Sequence, residues 1–532
     1  MTTGEPIATP ATPDVIPPSV GWRTGLWTLA ALIVLAVFLQ WGTGLASDDY
    51  VHIWEALDWR FAEHWWPKEY ASVPLLHYTQ GLVFFLLGDR PWAYDVVKAL
   101  YTAAAIYGVS RFFALFCSPN RALVFAFLFV FFPLHDSADY SLTMFYILES
   151  FAFYLYAYAL GARGRFGLAV TFALLASFAS YGSSPVAFGL ALLAYLQQQR
   201  KLAWAMIVPN LIYVAYYLIS SLVFRVGTPR LIGEMTIPAL VKGFILEIVT
   251  FADATFGPSA FAKFFYSITA LDALGIVVAV VASIGALVCL VREPRVPPAP
   301  ATTRHLLLAG CVIAVLSFGM FSLTGLYPFI AFNLGDRIMV YGSFLLVCAL
   351  ATLRLPRVVE QAAVVVTMLA IVGISAHWKD WNREIERVAA NIRASQTLRA
   401  VPPGTMVFVS HDQFSRLGPF AHIELFNPTY VVRAFFNLQM RPAPFDAVSF
   451  NRRYELQNGS LRDMKFGDSL PVGQTIWLYN ARDNTLEQIP ATDIPARLRA
   501  LPDENRHWVQ MIESPWIKDL MSRIVPRLRY AF

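Results

Sequence analysis

Charge is what this sequence has least of. Only 14% of its 532 residues are Asp, Glu, Lys or Arg, against 57% hydrophobic and 15% aromatic. A soluble domain carries about a quarter charged residues. The deficit excludes an ordinary soluble chain. With a mean hydropathy of +0.52, it indicates an integral membrane protein. Cysteine is also scarce. Cys117, Cys289, Cys311 and Cys348 lie in or beside apolar runs, with no C-x-x-C spacing. That excludes a thiolate metal motif and a disulfide framework in the polar C-terminal region. No P-loop, Rossmann glycine pattern, H-E-x-x-H or G-x-S-x-G occurs, so no nucleotide is expected to bind. An enzyme of this kind draws on an activated lipid-borne substrate or only hydrolyses. The net charge of +5 is no argument for nucleic acid, because in membrane proteins the placement of Lys and Arg matters more than the total. No internal repeat is visible, which weakens a transporter reading.

Apolar runs are what the sequence has in abundance. Residues 1–22 are rich in Pro and Thr and read as a disordered tail. The apolar run after them, of about 20 residues, is long enough to span and is not a cleavable signal. Eleven candidate spans follow from hydropathy, at 24–46, 92–116, 120–134, 139–161, 166–181, 184–199, 202–224, 264–291, 305–325, 337–353 and 358–377. With the N-terminus inside, the inner loops hold Arg111, Arg121, Arg163, Arg165, Arg200, Lys201, Arg292, Arg295, Arg304, Arg354 and Arg357. This bias fixes the orientation and puts the C-terminal region outside.

Three outer segments are large: 47–91, 225–263 and 378–532. In the first, Trp54, Leu57, Phe61 and Trp65 recur at helical spacing, as in an interfacial helix. In the second, Pro238 starts a helix with Leu240, Phe244, Ile248 and Phe251 on one side. The domain scheme is a tail over 1–22, a transmembrane domain over 23–377 and a mixed α/β extracytoplasmic domain over 378–532. In the last, TMVFVS, TYVVRAFF and TIWLYN read as strands. Its tail, WIKDLMSRIVPRLRYAF, is basic and aromatic and reads equally as a membrane-surface or a solvent-exposed helix.

The stretch GLASDDYVHIWE carries adjacent acids, Asp48 and Asp49, where the first span ends. Ser-Asp-Asp is a good cap for the helix that follows, but capping needs only one carboxylate. The second is surplus, and ionisable groups at membrane boundaries mark function. HDSADY supplies His135, Asp136 and Asp139 in the next outer loop, either as a polar turn or as a second acid across a cleft. FNLGDRIMVYG places Arg337 at the outer end of a span. A guanidinium there can hold a phosphate or simply snorkel beside Asp336. Arg225, Arg230, Arg90 and Lys98 are weaker phosphate candidates. His52 lies one helical turn after Asp48. It reads first as an interfacial polar residue, and second as a metal ligand with Asp48 and Asp49. Trp65 and Trp66 offer rings on which a sugar can stack, and with His52 and His135 form the substrate-binding candidates. A divalent cation stays an open option.

The layout resembles the GT-C superfamily of membrane glycosyltransferases. These include protein mannosyltransferases, lipid A aminoarabinose transferases, oligosaccharyltransferase catalytic subunits and mycobacterial arabinosyltransferases. The resemblance lies in an acidic pair after the first span, interfacial helices in the first outer loop, many further spans and a C-terminal mixed domain outside. It implies a multi-pass helical fold of about eleven spans. It also implies a bacterial inner-membrane enzyme that transfers a sugar from a polyprenyl-phosphate donor to a periplasmic glycan, lipid or protein acceptor, with inversion. By resemblance, Asp48 or Asp49 is the base, Asp136 or Asp139 the second acid, and Arg337 holds the donor phosphate; Asp49 is slightly preferred over Asp48, and Asp136 is the preferred second acid. The chain has no W-W-D-x-G-like motif and no D-x-D in the first loop. The alternatives are an O-antigen-type polymerase or ligase with a pyrophosphate-linked donor, and a lipid-linked sugar transporter.

Overall fold

The computed structural model describes residues 22–57, 71–88, 90–224, 236–292, 299–324, 328–464 and 469–524. Trp65, Trp66, Arg225 and Arg230 lie outside the described residues, as do nearly all of the N-terminal tail and the last eight residues.

Among the described residues, five helices are long and apolar enough to cross a membrane: Arg200–Val223, Ala273–Arg292, Pro300–Leu323, Leu334–Thr352 and Arg357–Ala394. Shorter apolar helices cover Leu26–Gln40, Pro74–Leu87, Pro119–His135, Phe166–Ala179 and Ser183–Leu196. Their outward faces are apolar. On Ala273–Arg292, Val277, Val281, Ile284 and Val288 are exposed, while Ala279, Ser283, Ala286 and Leu290 face the other helices. Small residues inward and branched residues outward is how helices pack side by side in lipid.

Two expected elements differ. The span expected over 264–291 is two helices, Pro258–Thr269 and Ala273–Arg292. Asp272 breaks it: its Oδ1 accepts the Gly275 N–H at 2.6 Å and caps the second helix. The first of the pair crosses the 38-residue helix Arg357–Ala394 at Gly373, where an added Cβ would fall 1.8 Å from the Ser267 carbonyl oxygen. Only glycine allows that approach. The long helix is also unbroken at the expected boundary near 378. It runs from the membrane-type segment straight into the charged stretch that begins the C-terminal region.

The C-terminal region is mixed α/β as expected. Strands β1 (Met406–Ser410), β2 (Phe414–Leu417), β3 (Phe420–Glu424), β4 (Asp446–Ser449), β5 (Tyr454–Gln457), β6 (Ser460–Asp463), β7 (Ser469–Pro471), β8 (Thr475–Asn480) and β9 (Thr485–Pro490) form three small sheets. The largest has the order β4-β1-β8-β9, with β1 parallel to β4 and β8, and β9 antiparallel to β8. TMVFVS and TIWLYN are strands β1 and β8. TYVVRAFF is not a strand; it lies in the helix Thr429–Met440. Its apolar residues come in pairs four apart, Val431 with Val432 and Phe435 with Phe436, and all four are buried. That is a helical period, and it overrides the β-type composition. This helix seats the domain on the short helix Asp48–Leu57, with Tyr50 edge-on to Phe435 at 4.8 Å.

Candidate functional site

The two adjacent acids part at once. Ser47 has a positive φ of 45°, a left-handed turn uncommon outside glycine, just before the helix Asp48–Leu57. Asp49 is buried. Its Oδ2 accepts the Ala46 N–H at 3.0 Å, and its Oδ1 accepts the Thr143 N–H at 2.8 Å and the Ser141 hydroxyl at 3.2 Å. Its bonds go to an N–H ahead of its own helix and to the 141–143 loop, so Asp49, the acid preferred from the sequence as base, ties the turn before the helix to that loop. Asp48 stays half-buried. Its Oδ1 is 3.3 Å from the Tyr430 hydroxyl and 3.5 Å from the Ser47 hydroxyl. Burial raises the Asp48 carboxyl above its ordinary range, His52 and Arg337 oppose the rise, and Asp49 and Glu424 add to it.

Those neighbours come from separate parts of the chain. Arg337 lies in a short 3-10 turn, Leu334–Met339, and donates from Nη1 to the Leu334 carbonyl at 2.8 Å. Glu424 ends β3 of the C-terminal domain. It accepts from Asn333 Nδ2 at 2.6 Å and pairs with Arg506 at 2.6 Å. His52 stacks on Phe84 with ring centroids 5.8 Å apart. The candidate site is thus the place where the short helix Asp48–Leu57, the 333–337 turn and the C-terminal domain come together around Asp48.

Behind it lies a buried ionic cluster. Lys263, on the helix Pro258–Thr269, places Nζ 2.7 Å from Asp136 Oδ1 and 3.3 Å from Asp336 Oδ2. His422 of β3 has Nε2 2.9 Å from Asp136 Oδ2, and Trp378 donates its indole N–H to that same oxygen at 2.6 Å. Asp336 also accepts the Ser137 N–H at 3.2 Å and the Ser137 hydroxyl. It therefore serves this cluster and is more than a partner for Arg337. Burial would raise Asp136, but Lys263 and His422 hold it well below the usual carboxylate value. Burial, with Lys263 adding, keeps His422 below its ordinary value.

Asp136, Asp336 and His422 are a donor set of a kind that divalent metals accept, with ligand atoms within 4.8 Å of one another. The surroundings do not fit an ion there. The backbone N–H of Asn333 donates to His422 Nδ1 at 3.0 Å. A neutral imidazole then carries its proton on Nε2, which donates to Asp136 and has no lone pair for a metal. The Lys263 ammonium, 3.0 Å from Nε2, already supplies the cation. Of the expected metal set Asp48, Asp49 and His52, both oxygens of Asp49 accept hydrogen bonds elsewhere, and the metal-type cluster among the described residues is Asp136, Asp336 and His422 instead.

Other expected residues have scaffold roles. Lys98 is buried, with Thr43 Oγ1 at 2.7 Å, the Gly44 carbonyl at 2.5 Å, the Tyr140 carbonyl at 3.2 Å and Asp95 Oδ1 at 3.1 Å. Those acceptors use all three ammonium hydrogens, so Lys98 is not a phosphate ligand. His135 is buried between the Ser343 hydroxyl at 2.8 Å and the Val130 carbonyl at 3.3 Å. Asp139 is fully buried, and neither carboxylate oxygen has a hydrogen-bond partner. Asp136, the preferred second acid, is locked in the ion cluster. Arg90 is exposed at the start of the helix Pro91–Phe113.

Sequence reasoning missed Lys263, His422, Glu424 and Tyr430. The lone lysine in AFAKFFYS was a usable signal, since a cation in an apolar helix needs a buried partner. The other three carry no local mark. No family model, no curated protein and no solved structure matches this chain.

Proposed function

We propose that the protein is a membrane glycosyltransferase of the GT-C kind. In this reading it has about eleven spans and lies in a bacterial inner membrane, with Asp48 on the periplasmic side, and it uses a polyprenyl-phosphate sugar. The observation that carries this reading is a half-buried carboxylate, Asp48, that feels the charge of an arginine, Arg337, and touches Tyr430 of the C-terminal domain. Asp48 takes the proton of the acceptor hydroxyl. The oxygen attacks the anomeric carbon, and the lipid phosphate leaves with its electron pair, stabilised by Arg337. A single displacement inverts the anomeric configuration. The raised proton affinity of Asp48 suits a base. The Lys263-filled cluster supports a mechanism in which the protein's own residues supply the charge.

The test compares two neighbours. Asp48→Asn should lower kcat by about 10²–10⁴-fold while the protein still folds. Asp49→Ala should instead cost about 1–3 kcal/mol of stability, because it strands buried N–H donors. Sugar transfer from a polyprenyl-phosphate donor and thermal unfolding in detergent read the two effects. Full transfer by the Asp48 variant would refute the assignment.

A further inference from the structure

The contact between Asp48 and Tyr430 has no structural need behind it. Tyr430 belongs to the C-terminal domain and reaches over to Asp48, yet it is 50% exposed. Its hydroxyl lies 3.3 Å from Asp48 Oδ1, longer than the ~2.7–2.8 Å of a settled O–H···O bond. The helix that carries it is firmly held. Val431, Val432 and Phe435 are buried, and Arg433 pairs with Asp446 at 2.6 Å. The backbone at Tyr430 is therefore set, while its exposed side chain can swing aside and its hydroxyl bond is long and open to solvent.

A carboxylate that holds a hydroxyl weakly, where solvent reaches, is in the state of a base awaiting its substrate. A general base must take the reacting hydroxyl at about 2.6–3.2 Å, and the Tyr430 hydroxyl stands close to where that group belongs. The half-exposed ring beside it has an apolar face and a polar rim. A pyranose matches both, with axial C–H groups for the face and hydroxyls for the rim. A serine or threonine side chain on a peptide has no such face to offer.

We propose, resting on the assignment of Asp48 as base, that Tyr430 forms the acceptor subsite and that the acceptor is a carbohydrate. The acceptor ring stacks on Tyr430, and its nucleophilic hydroxyl displaces the tyrosine hydroxyl from Asp48. In the transfer the acceptor O–H bond breaks and its proton passes to Asp48 Oδ1. The new C–O bond forms at the donor's anomeric carbon as the bond to the lipid phosphate breaks. Tyr430 touches the acceptor and sets its position; it exchanges no proton.

The full chain in lipid nanodiscs tests this by saturation-transfer NMR with methyl glucoside, galactoside, mannoside and rhamnoside, and with an N-acetylated serine amide as the peptide-type probe. At least one pyranoside should bind. Tyr430→Ala should weaken it about tenfold, Tyr430→Phe should bind at least as well as wild type, and Asp48→Asn should still bind. In turnover with a polyprenyl-phosphate hexose, Tyr430→Ala should raise the acceptor KM and leave the donor KM unchanged. Pyranoside binding that ignores Tyr430→Ala, or binding of the serine amide with no pyranoside bound, overturns the proposal. If Asp48→Asn keeps full turnover while Tyr430→Ala still loses the pyranoside, the base assignment falls and the sugar subsite stands.

Discussion

Asp48 and Asp49 have different surroundings because the chain turns left-handed at Ser47 immediately before them. One carboxylate is turned in, to the 141–143 loop, and the other toward Tyr430 of the C-terminal domain. The charges around Asp48 then govern its pH behaviour. A protonated Asp48 cannot accept a proton, so activity is lost as pH falls through its pKa. Burial puts that loss above the ordinary aspartate value of 3.8. Arg337 pulls the other way. Arg337→Gln should therefore move the acid limb of kcat/KM to higher pH, besides lowering kcat by about 10²–10³-fold. A pH–rate profile of the variant checks both, and a limb that stays in place or moves to lower pH would mean that Arg337 does not face the base. The acid pair and Arg337 were legible in the sequence as candidates. Which acid is buried in hydrogen bonds and which faces Tyr430 was not, since that depends on a backbone twist and on Thr143, more than ninety residues away.

At the scale of elements, the Lys263 cluster joins the 133–140 turns, the helix Pro258–Thr269, the 334–339 turn, the long helix and β3. A buried cation between two buried carboxylates is worth little against an apolar core, but removing one partner is severe. Lys263→Ala should destabilise the protein by about 3–5 kcal/mol, read as a lowered unfolding midpoint. Chelation of divalent metals should leave the wild-type midpoint unchanged; a fall with chelator would show that an ion, and not the lysine, holds these carboxylates. Little of this was legible. The span expected from 264 left Lys263 just outside and ran straight through the Asp272 cap, so two helices read as one. The apolar pairs of the helix Thr429–Met440 read as a strand because Val, Tyr and Phe are common to both. By contrast β1 and β8, short apolar runs bounded by turn residues, were legible in place.

At the scale of the molecule, the C-terminal domain is locked to the bundle at a second point. Asp253, near the end of the helix Ile237–Phe256, accepts from His507 Nε2 at 2.8 Å and from the Trp508 indole at 3.1 Å. Burial opposes its ionisation, but the hydrogen bonds from His507, Ser259 and Trp508 bring it down to about 2. A depressed carboxylate contributes stability above its unfolded value of 3.8 and loses it as pH falls through about 2. At neutral pH the clasp is at full strength. Asp253→Ala should then speed tryptic cleavage after Arg506 about tenfold at neutral pH. Unchanged cleavage would show that the segment is held elsewhere. The overall division into an apolar helical part and a mixed C-terminal part was legible from composition alone. How the two meet was not, because each contact pairs residues far apart in the chain.

The unbroken helix Arg357–Ala394 has a consequence of its own. Its 38 residues make a rod about 57 Å long, of which hydrocarbon can sheathe about 30 Å. Ser375, Lys379 and Asn382 tie its middle to the carbonyls of Leu39, Phe38 and Gly42. The rod works as a threaded post. Each residue added above those ties would lift the domain by about 1.5 Å and swing it by about 100°. The gap between Asp48 and Tyr430 is therefore tuned in whole residues, and evolution can lengthen this post only in steps that bring the thread back into phase.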